Sequence, residues 1–501
     1  MEDSVPLQSN AKPAHSHPHR ASYRVAIVGA GCTGLRIATL CELLNRGNRS
    51  EGSVECVIFE ARASAGGFLQ SHRTPEGLVV DHGAQGVLSS RHVFLKTLED
   101  LNLTPQDVIS PLAAPQNRTR YLITAKGCLA PLTPLPWSLW KTGLLRPAQW
   151  FRAVMEIIRF KSATPPPRNE TLYRFVERHF GKAVAENFIL PFATGIWGGG
   201  SEKLLARHAF PRLPEWESKH GSILRGALLS ALVKMWKRPH ETVALKHKWP
   251  RGLLSFRGGM HDLIAHMLRF LQSAGHRTQL RVASPITSIK ALPQGRLLLN
   301  ETEEFDAVFW TSPPWQNPHL RFESADARSD WSLFQQALTH DLIVVHVTGI
   351  KDKATGEGFG ALAGRASDGL LGVLFVHSIY KEQCQEGYSS YRILLGGDRN
   401  PNMQAWSDEQ LHSYALAQLR SLRLLSEHSE VQSVSVVRWH RAVGIADENH
   451  DARLAALWRL EAHLPGLHFA GIYKKGVGVA DALQSAQDAF DSWLSALHPS
   501  H

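Results

Sequence analysis

From Tyr23 the chain reads Val25-Ala-Ile-Val28 and then Gly29-Ala-Gly31-Cys-Thr-Gly34-Leu35. A short apolar run that stops at three glycines and opens a helical pattern constrains the fold more than any other feature of this sequence. The run has the character of a buried strand, and Leu35, Ile37, Leu40, Cys41 and Leu44 recur at three- and four-residue spacing on one helical face. Each glycine has its own reason to be there. Gly29 makes the tight turn, Gly31 lets the backbone approach a pyrophosphate, and Gly34 lets the helix pack closely on the strand. The helix start then offers free N–H groups and the positive end of its dipole to phosphate, drawing on Ala30, Cys32 and Thr33 as well. A second strand, Val54-Glu-Cys-Val-Ile-Phe59, ends in Glu60, where a carboxylate meets a ribose hydroxyl. Glu60 comes later than the usual spacing of about 20 residues, because the polar stretch from Asn45 to Ser53 lengthens the intervening loop.

An isolated glycine turn of this kind is weak support for a cofactor, but more follows it. Glu60-Ala61 leads to Gly66-Gly67-Phe68 and then to Val80-Asp-His-Gly83-Ala84-Gln85. Nicotinamide-binding units have no need of a second glycine pair beyond the acidic residue. Flavoproteins related to glutathione reductase and the amine oxidases do, since a longer cofactor lies along that loop, and the expected cofactor is therefore FAD. The far end of the chain supplies a matching half-site. Leu467-His-Phe-Ala-Gly471 is an apolar strand ending in glycine, and Gly476-Val477-Gly478-Val479-Ala-Asp481 opens the helical stretch from Ala482 to Leu494. Between the two ends, Phe256-Arg-Gly-Gly-Met260 starts an amphipathic helix, residues 281 to 289 have strand character, and Asp306 to Pro313 form an apolar strand.

These motifs together resemble the protoporphyrinogen oxidases, the FAD enzymes of late haem synthesis. More specific likeness lies in Pro191-Phe-Ala-Thr-Gly-Ile-Trp-Gly-Gly-Gly200, Gly358-Phe-Gly-Ala-Leu362 and Leu371-Gly372. The resemblance implies an α/β fold with three parts: a discontinuous Rossmann-like FAD-binding domain (23–92, 252–312 and 435–495), a mixed-sheet substrate domain (93–102, 226–251 and 313–434) and a helical, membrane-binding insert (103–225). Residues 1–22 are expected to be a disordered tail, whose His15, His17 and His19 more simply read as solvated than as a metal site. The resemblance further implies FAD contacts from Val282 and Trp439, a pocket wall at Leu371 and a propionate-binding cation at Arg120. It implies oxidation of protoporphyrinogen IX with molecular oxygen as acceptor: six electrons, three flavin cycles, and hydrogen peroxide as by-product.

The chain also departs from the family pattern. Ser64 stands where an arginine is usual, Gly444 stands where the family has proline, and Ala486 replaces a glycine. Coproporphyrinogen III oxidation stays open because both substrates ask for the same machinery. A flavin amine oxidase fits the Gly476–Val479 ending and the central segment poorly, and the three departures keep open a non-enzymatic flavin- or porphyrin-binding accessory. HExxH, GxSxG and Walker patterns are absent, so no metal or nucleophile constellation competes, and the cofactor supplies the hard chemistry.

Composition decides the remaining questions. With 55 Lys+Arg against 45 Asp+Glu, the 501 residues carry a formal charge of +10, and no apolar stretch approaches the roughly 18 residues of a spanning helix. No basic low-complexity tail or recognisable nucleic-acid module accompanies that charge, so no nucleic acid is expected as a partner. Instead Trp137, Trp140, Leu144, Leu145, Pro147, Trp150, Phe151, Val154, Ile157 and Ile158 form an apolar stripe edged by Arg146, Arg152, Arg159 and Lys161. Such a pattern fits either a core-facing helix or a helix lying in a lipid interface. The resemblance favours monotopic attachment to an anionic membrane surface. The N-terminal residues lack an apolar run, and the five widely spaced cysteines suit a reducing compartment, so the expected location is the cytoplasmic face of an inner membrane. A homodimer and hand-over to the next enzyme of haem synthesis stay open as partnerships.

Overall fold

The computed structural model describes residues 22–47, 53–111, 119–124, 126–132, 143–160, 167–200, 202–236, 245–273, 277–351, 356–364 and 368–497. The His-rich tail, Trp137, Trp140 and Lys161 lie outside the described residues.

Strand Ser22–Val28 is the centre of a five-stranded, fully parallel sheet. Strands Ala307–Trp310 and Leu467–Phe469 extend it on one side, and Ser53–Phe59 and Thr278–Arg281 on the other. The two-residue period of a strand explains why this run is apolar throughout. Val25 and Ile27 face helices Cys32–Gly47 and Val479–Leu497, while Ala26 and Val28 face a second core containing Trp310, Trp331 and Phe469. Helices from opposite ends of the sequence thus cover one face of the same sheet. A smaller four-stranded sheet built from residues 288–305 with Arg321–Phe322 shares the second core.

Above this unit stands a seven-stranded sheet in the order Ser433–Gly444, Thr339–Ile350, Ser389–Gly396, Leu370–Phe375, Gly360–Ala363, Arg120–Ile123 and Leu129–Leu132. Two segments fall elsewhere than the sequence divisions put them. Arg120–Ile123 and Leu129–Leu132, which the sequence divisions put in a helical insert, are strands, and Arg120–Ile123 pairs in parallel with Gly360–Ala363. Residues 435–444, grouped with the cofactor domain, belong to a strand that pairs with Thr339–Ile350. The reason is the same in both cases: hydrogen-bonded partners far away in sequence determine which sheet a strand joins, and local apolar pattern carries no record of them. Helix Asp408–Ser421, capped by a Ser407–Gln410 capping box, seals the outer face of this sheet.

The third part is helical and includes Pro147–Met155, Leu172–Phe180, Leu190–Trp197, Arg212–His220 and Ile223–Trp236. Buried acid–base contacts join these helices. The Glu156 carboxylate accepts from Ser222 Oγ (2.9 Å) and from the N–H groups of Ile223 (2.7 Å) and Leu224 (3.0 Å), so it caps the last helix. It also pairs with His179 Nδ1 at 2.9 Å, and His179 Nε2 lies 3.2 Å from Glu217. Among the described residues no helix is long and apolar enough to cross a membrane.

Candidate active site

The glycine turn that follows the central strand is built from backbone contacts too close for any side chain. A Cβ on Gly34 would lie 1.9 Å from the Gly29 carbonyl oxygen, and Gly29 itself has φ +107°. The second glycine pair crosses the first. Gly66 N–H donates to the Ala30 carbonyl (2.9 Å), and a Cβ on Gly67 would sit 3.3 Å from Gly31 Cα. A Cβ on Gly83 would meet the Phe68 carbonyl at 1.8 Å, which ties the third loop to the second. Glu60 is buried, and its carboxylate accepts from the N–H groups of Ala30 (2.8 Å) and Arg62 (2.9 Å). At the other end of the chain Gly471 N–H donates to Ser485 Oγ (2.9 Å) and Gly478 N–H to Asp481 (3.2 Å).

These turns open into one cavity of about 1080 Å³ between the parallel sheet and the seven-stranded sheet. That volume exceeds the roughly 300–1,000 Å³ of a site for one small ligand and suits a cofactor with a second molecule beside it. Of the residues expected from sequence, Gly29, Gly31, Cys32, Thr33, Glu60 and Ala61 line it at the glycine end. Gly67, Phe68, Gly83, Ala84 and Gln85 line its middle, and Trp439, Val477, Val479 and Leu371 complete the set. Ala30 and Gly34 are not at its wall; Ala30 holds Glu60, and Gly34 packs the helix on the strand. Val282, Gly478 and Arg120 are also absent from the lining. Val282 follows the end of its strand and is 41% exposed, and the exposed Arg120 guanidinium stands 4.8 Å over the Phe359 ring.

Sequence reasoning missed a group of residues brought in by tertiary structure. Thr311 to Pro313 follow strand Ala307–Trp310, while Leu342, Val344, Arg392 and Leu394 come from the inward face of the seven-stranded sheet. Arg392 carried a faint signal, being the only charged residue in the otherwise apolar run Tyr391 to Leu395. Arg62, two residues before Ser64, is the cation of this loop: it lines the cavity, donates to the Gly67 carbonyl (3.3 Å) and stands 5.6 Å over the Trp439 ring. Trp439 donates from Nε1 to the His82 carbonyl (2.9 Å) and packs on Phe68, with ring centroids 5.0 Å apart.

The electrostatics around Asp81 follow from burial. Asp81 accepts from Met260 N–H (2.8 Å) and Gln85 Nε2 (3.0 Å), yet burial raises its carboxyl to about 6. Burial, with His72, Arg392 and His261 around it, lowers His82 to about 4, so it is neutral at pH 7. His346, whose Nε2 lies 2.9 Å from the Asp81 carbonyl, is also held neutral by burial. Among the described residues no cluster of His, Cys, Asp and Glu can hold a metal ion, and all five cysteines are free.

The arrangement is that of a dinucleotide cradle with a roofed chamber at one end. A model of the flavin-containing amine oxidoreductases matches residues 34–489. The chain belongs to that family. It is an oxidoreductase with FAD as cofactor, and the crossed glycine pairs, Glu60 and the unspent donors of Arg62 fit that group. This flavoenzyme is 29% identical to the mitochondrial protoporphyrinogen oxidase of Nicotiana tabacum, with 97% of this chain and 98% of that protein covered. It is 26% identical to the human protoporphyrinogen oxidase over 94% of this chain and 98% of that one. The coproporphyrinogen III oxidase of Bacillus subtilis is 23% identical over 94% of this chain and 98% of the relative. Among solved structures, an Exiguobacterium sp. 255-15 protein superposes with a TM-score of 0.75 at 20% identity, covering 94% of this chain and 98% of its own. Putrescine oxidase bound to putrescine gives 0.62 at 17% identity, covering 95% and 99%.

Proposed function

We propose that this flavoenzyme oxidises protoporphyrinogen IX to protoporphyrin IX in haem synthesis, with molecular oxygen as the final acceptor. The observation that carries the proposal is the near full-length likeness to protoporphyrinogen oxidases from tobacco and human, joined to a chamber roofed by a mainly apolar sheet face. A porphyrinogen is a large apolar ring with carboxylate arms, and a β-sheet face of Leu342, Val344, Leu371 and Leu394 is the complementary wall.

FAD supplies the redox chemistry, accepting two electrons at a time, so a six-electron oxidation requires three rounds. The chain's own residues prepare the site for it. Glu60 and the Gly29–Gly34 turn hold the dinucleotide end, while Phe68 and Trp439 fix the loops where the two sheets meet. His82, at the cavity wall, is neutral and adds no positive charge near a ring that loses protons as it is oxidised.

The helical part supports work at a lipid surface. Phe151, Val154, Ile158 and Phe160 are 55% to 85% exposed, and helix Ile223–Trp236 exposes Leu228, Leu229, Leu232 and Val233. A clustered apolar surface of this kind marks a contact site for a membrane or a protein. Arg146, Arg152 and Arg159 accompany it, which favours anionic headgroups on the cytoplasmic leaflet. The same part exposes Phe192 and Ile196, and Ile196 also lines the cavity, so an apolar substrate has a route from lipid to chamber.

Fluorescence growth tests the activity. Purified holoenzyme given protoporphyrinogen, and separately coproporphyrinogen, is expected to produce porphyrin fluorescence faster on the first. Faster turnover of coproporphyrinogen would move the reading to the activity named for the Bacillus relative, and no growth on either, with FAD bound, would leave a porphyrin-handling accessory.

A further inference from the structure

Four arginines line the cavity among the described residues: Arg62, Arg392, Arg438 and Arg441. Their donors are committed very differently. Arg441 donates to Thr339 Oγ1 (3.2 Å) and to the carbonyls of Trp315 (2.8 Å) and Gln335 (3.1 Å). Arg438 is held by Asp408 and the Trp406 carbonyl. Arg62 stands at the glycine end, beside the dinucleotide cradle.

Arg392 is the exception. It is 5% exposed, and its one hydrogen bond runs from Nη2 to the Gly83 carbonyl, while its Nε has no partner. Cross-strand register puts His346 and Leu374 opposite it, with Val344 and Leu394 in the next row on the same inward face. The nearby Asp81 carboxylate already accepts from Ser71, Met260 and Gln85. Burial lowers the Arg392 guanidinium to about 10, which leaves it charged at neutral pH. Asp81 offsets part of the charge but accepts no hydrogen bond from Arg392, and a buried cation with a single hydrogen-bond acceptor is costly until its other N–H groups are met.

We infer that Arg392 is the carboxylate-binding residue of the substrate chamber, its unpaired N–H groups donating to one propionate of the tetrapyrrole. This rests on the porphyrinogen reading above. The substrate, rather than the cofactor, is the assigned anion because Arg392 projects from the roof sheet, whereas Arg62 serves the glycine end. Arg120, outside the cavity lining, leaves that position to be filled.

The test measures binding of protoporphyrin IX and of its dimethyl ester to FAD-loaded protein by porphyrin fluorescence. Arg392→Gln is expected to weaken the diacid by at least about tenfold, the loss of a charge-assisted bidentate contact, while the diester changes by less than about twofold. Arg392→Lys is expected to recover part of the diacid affinity, and it carries the diacid-to-diester comparison if the Gln variant fails to retain FAD. Equal weakening of both ligands, or of neither, would overturn the inference. Sulfite titration of the bound flavin separates the sources of charge: unchanged sulfite affinity in Arg392→Gln is expected. A loss of sulfite affinity with the diacid unaffected would assign the anion to the flavin and overturn the substrate role. If the wild-type protein binds neither porphyrin, the porphyrinogen reading itself fails.

Discussion

The glycine cradle and the helical part solve opposite problems with opposite materials. The cradle is made of backbone packed so closely that Gly29, Gly34 and Gly83 leave no room for a methyl group. The helical part leaves Phe151, Phe160 and Val233 at least half exposed and depends on a few buried charges to keep its helices together. The first region is rigid by contact, and its specificity lies in distances. The second offers surface, and its specificity lies in what it leaves uncovered.

The sharpest way to break this contrast is Gly34→Ala. Its Cβ would be driven into the Gly29 carbonyl, so the variant is expected to emerge from gel filtration without FAD and without absorbance near 450 nm. Retained FAD would mean that close helix–strand packing is not what holds the cofactor.

Next in size is Glu156→Ala. It removes the acceptor of Ser222, Ile223, Leu224 and His179 at once, and thermal unfolding is expected to show a loss of about 3–5 kcal/mol, the range for breaking a buried charge network. The double variant Phe151→Asp with Phe160→Asp probes the surface instead. Each apolar ring returned to water forfeits roughly 1.5–3 kcal/mol of lipid burial, so sedimentation with anionic liposomes at low salt is expected to disappear while FAD content stays normal. Sedimentation equal to wild type would show that this face does not meet lipid.

The smallest effect is a pH dependence confined to the helical part. Burial opposes ionisation of Glu217, but hydrogen bonds from His179 and Arg178 outweigh it and hold the carboxyl at about 2. Its contribution is therefore complete above the ordinary value of 4.5 and is lost as pH falls toward 2. Burial also opposes the charge on His179, yet Glu156 and Glu217 raise it above the ordinary 6.5. That contribution is complete below 6.5 and fades as pH rises through the raised value. Hydrogen exchange in Leu172–Phe180 is expected to be slowest between about pH 4.5 and 6.5 once corrected for intrinsic rates, and Glu217→Gln is expected to flatten that minimum.

The same contrast governs what the sequence reveals. The cradle is legible because φ-permissive glycines, a flanking apolar run and an acidic strand end are local requirements, so Gly29 to Gly34 and Glu60 are found without knowing the rest of the fold. The C-terminal half-site is legible for the same reason. Strand membership is not: Arg120–Ile123 and residues 435–444 join the roof sheet through partners more than 80 residues distant, and no local pattern encodes them. Arg392 is hidden because only its registration beside His346 and Leu374, on two neighbouring strands, turns it into the chamber. Val282 shows the converse, a residue with strand character that falls just beyond the last paired position and remains exposed.

The central claim is that a cradle holding FAD and an apolar chamber act together on a porphyrinogen. Simultaneous recording of oxygen uptake and porphyrin fluorescence with FAD-loaded enzyme tests it most directly. Three molecules of oxygen consumed for each protoporphyrin formed is the predicted result. Porphyrin appearing at the uncatalysed rate, with oxygen uptake unaffected by the enzyme, would contradict it.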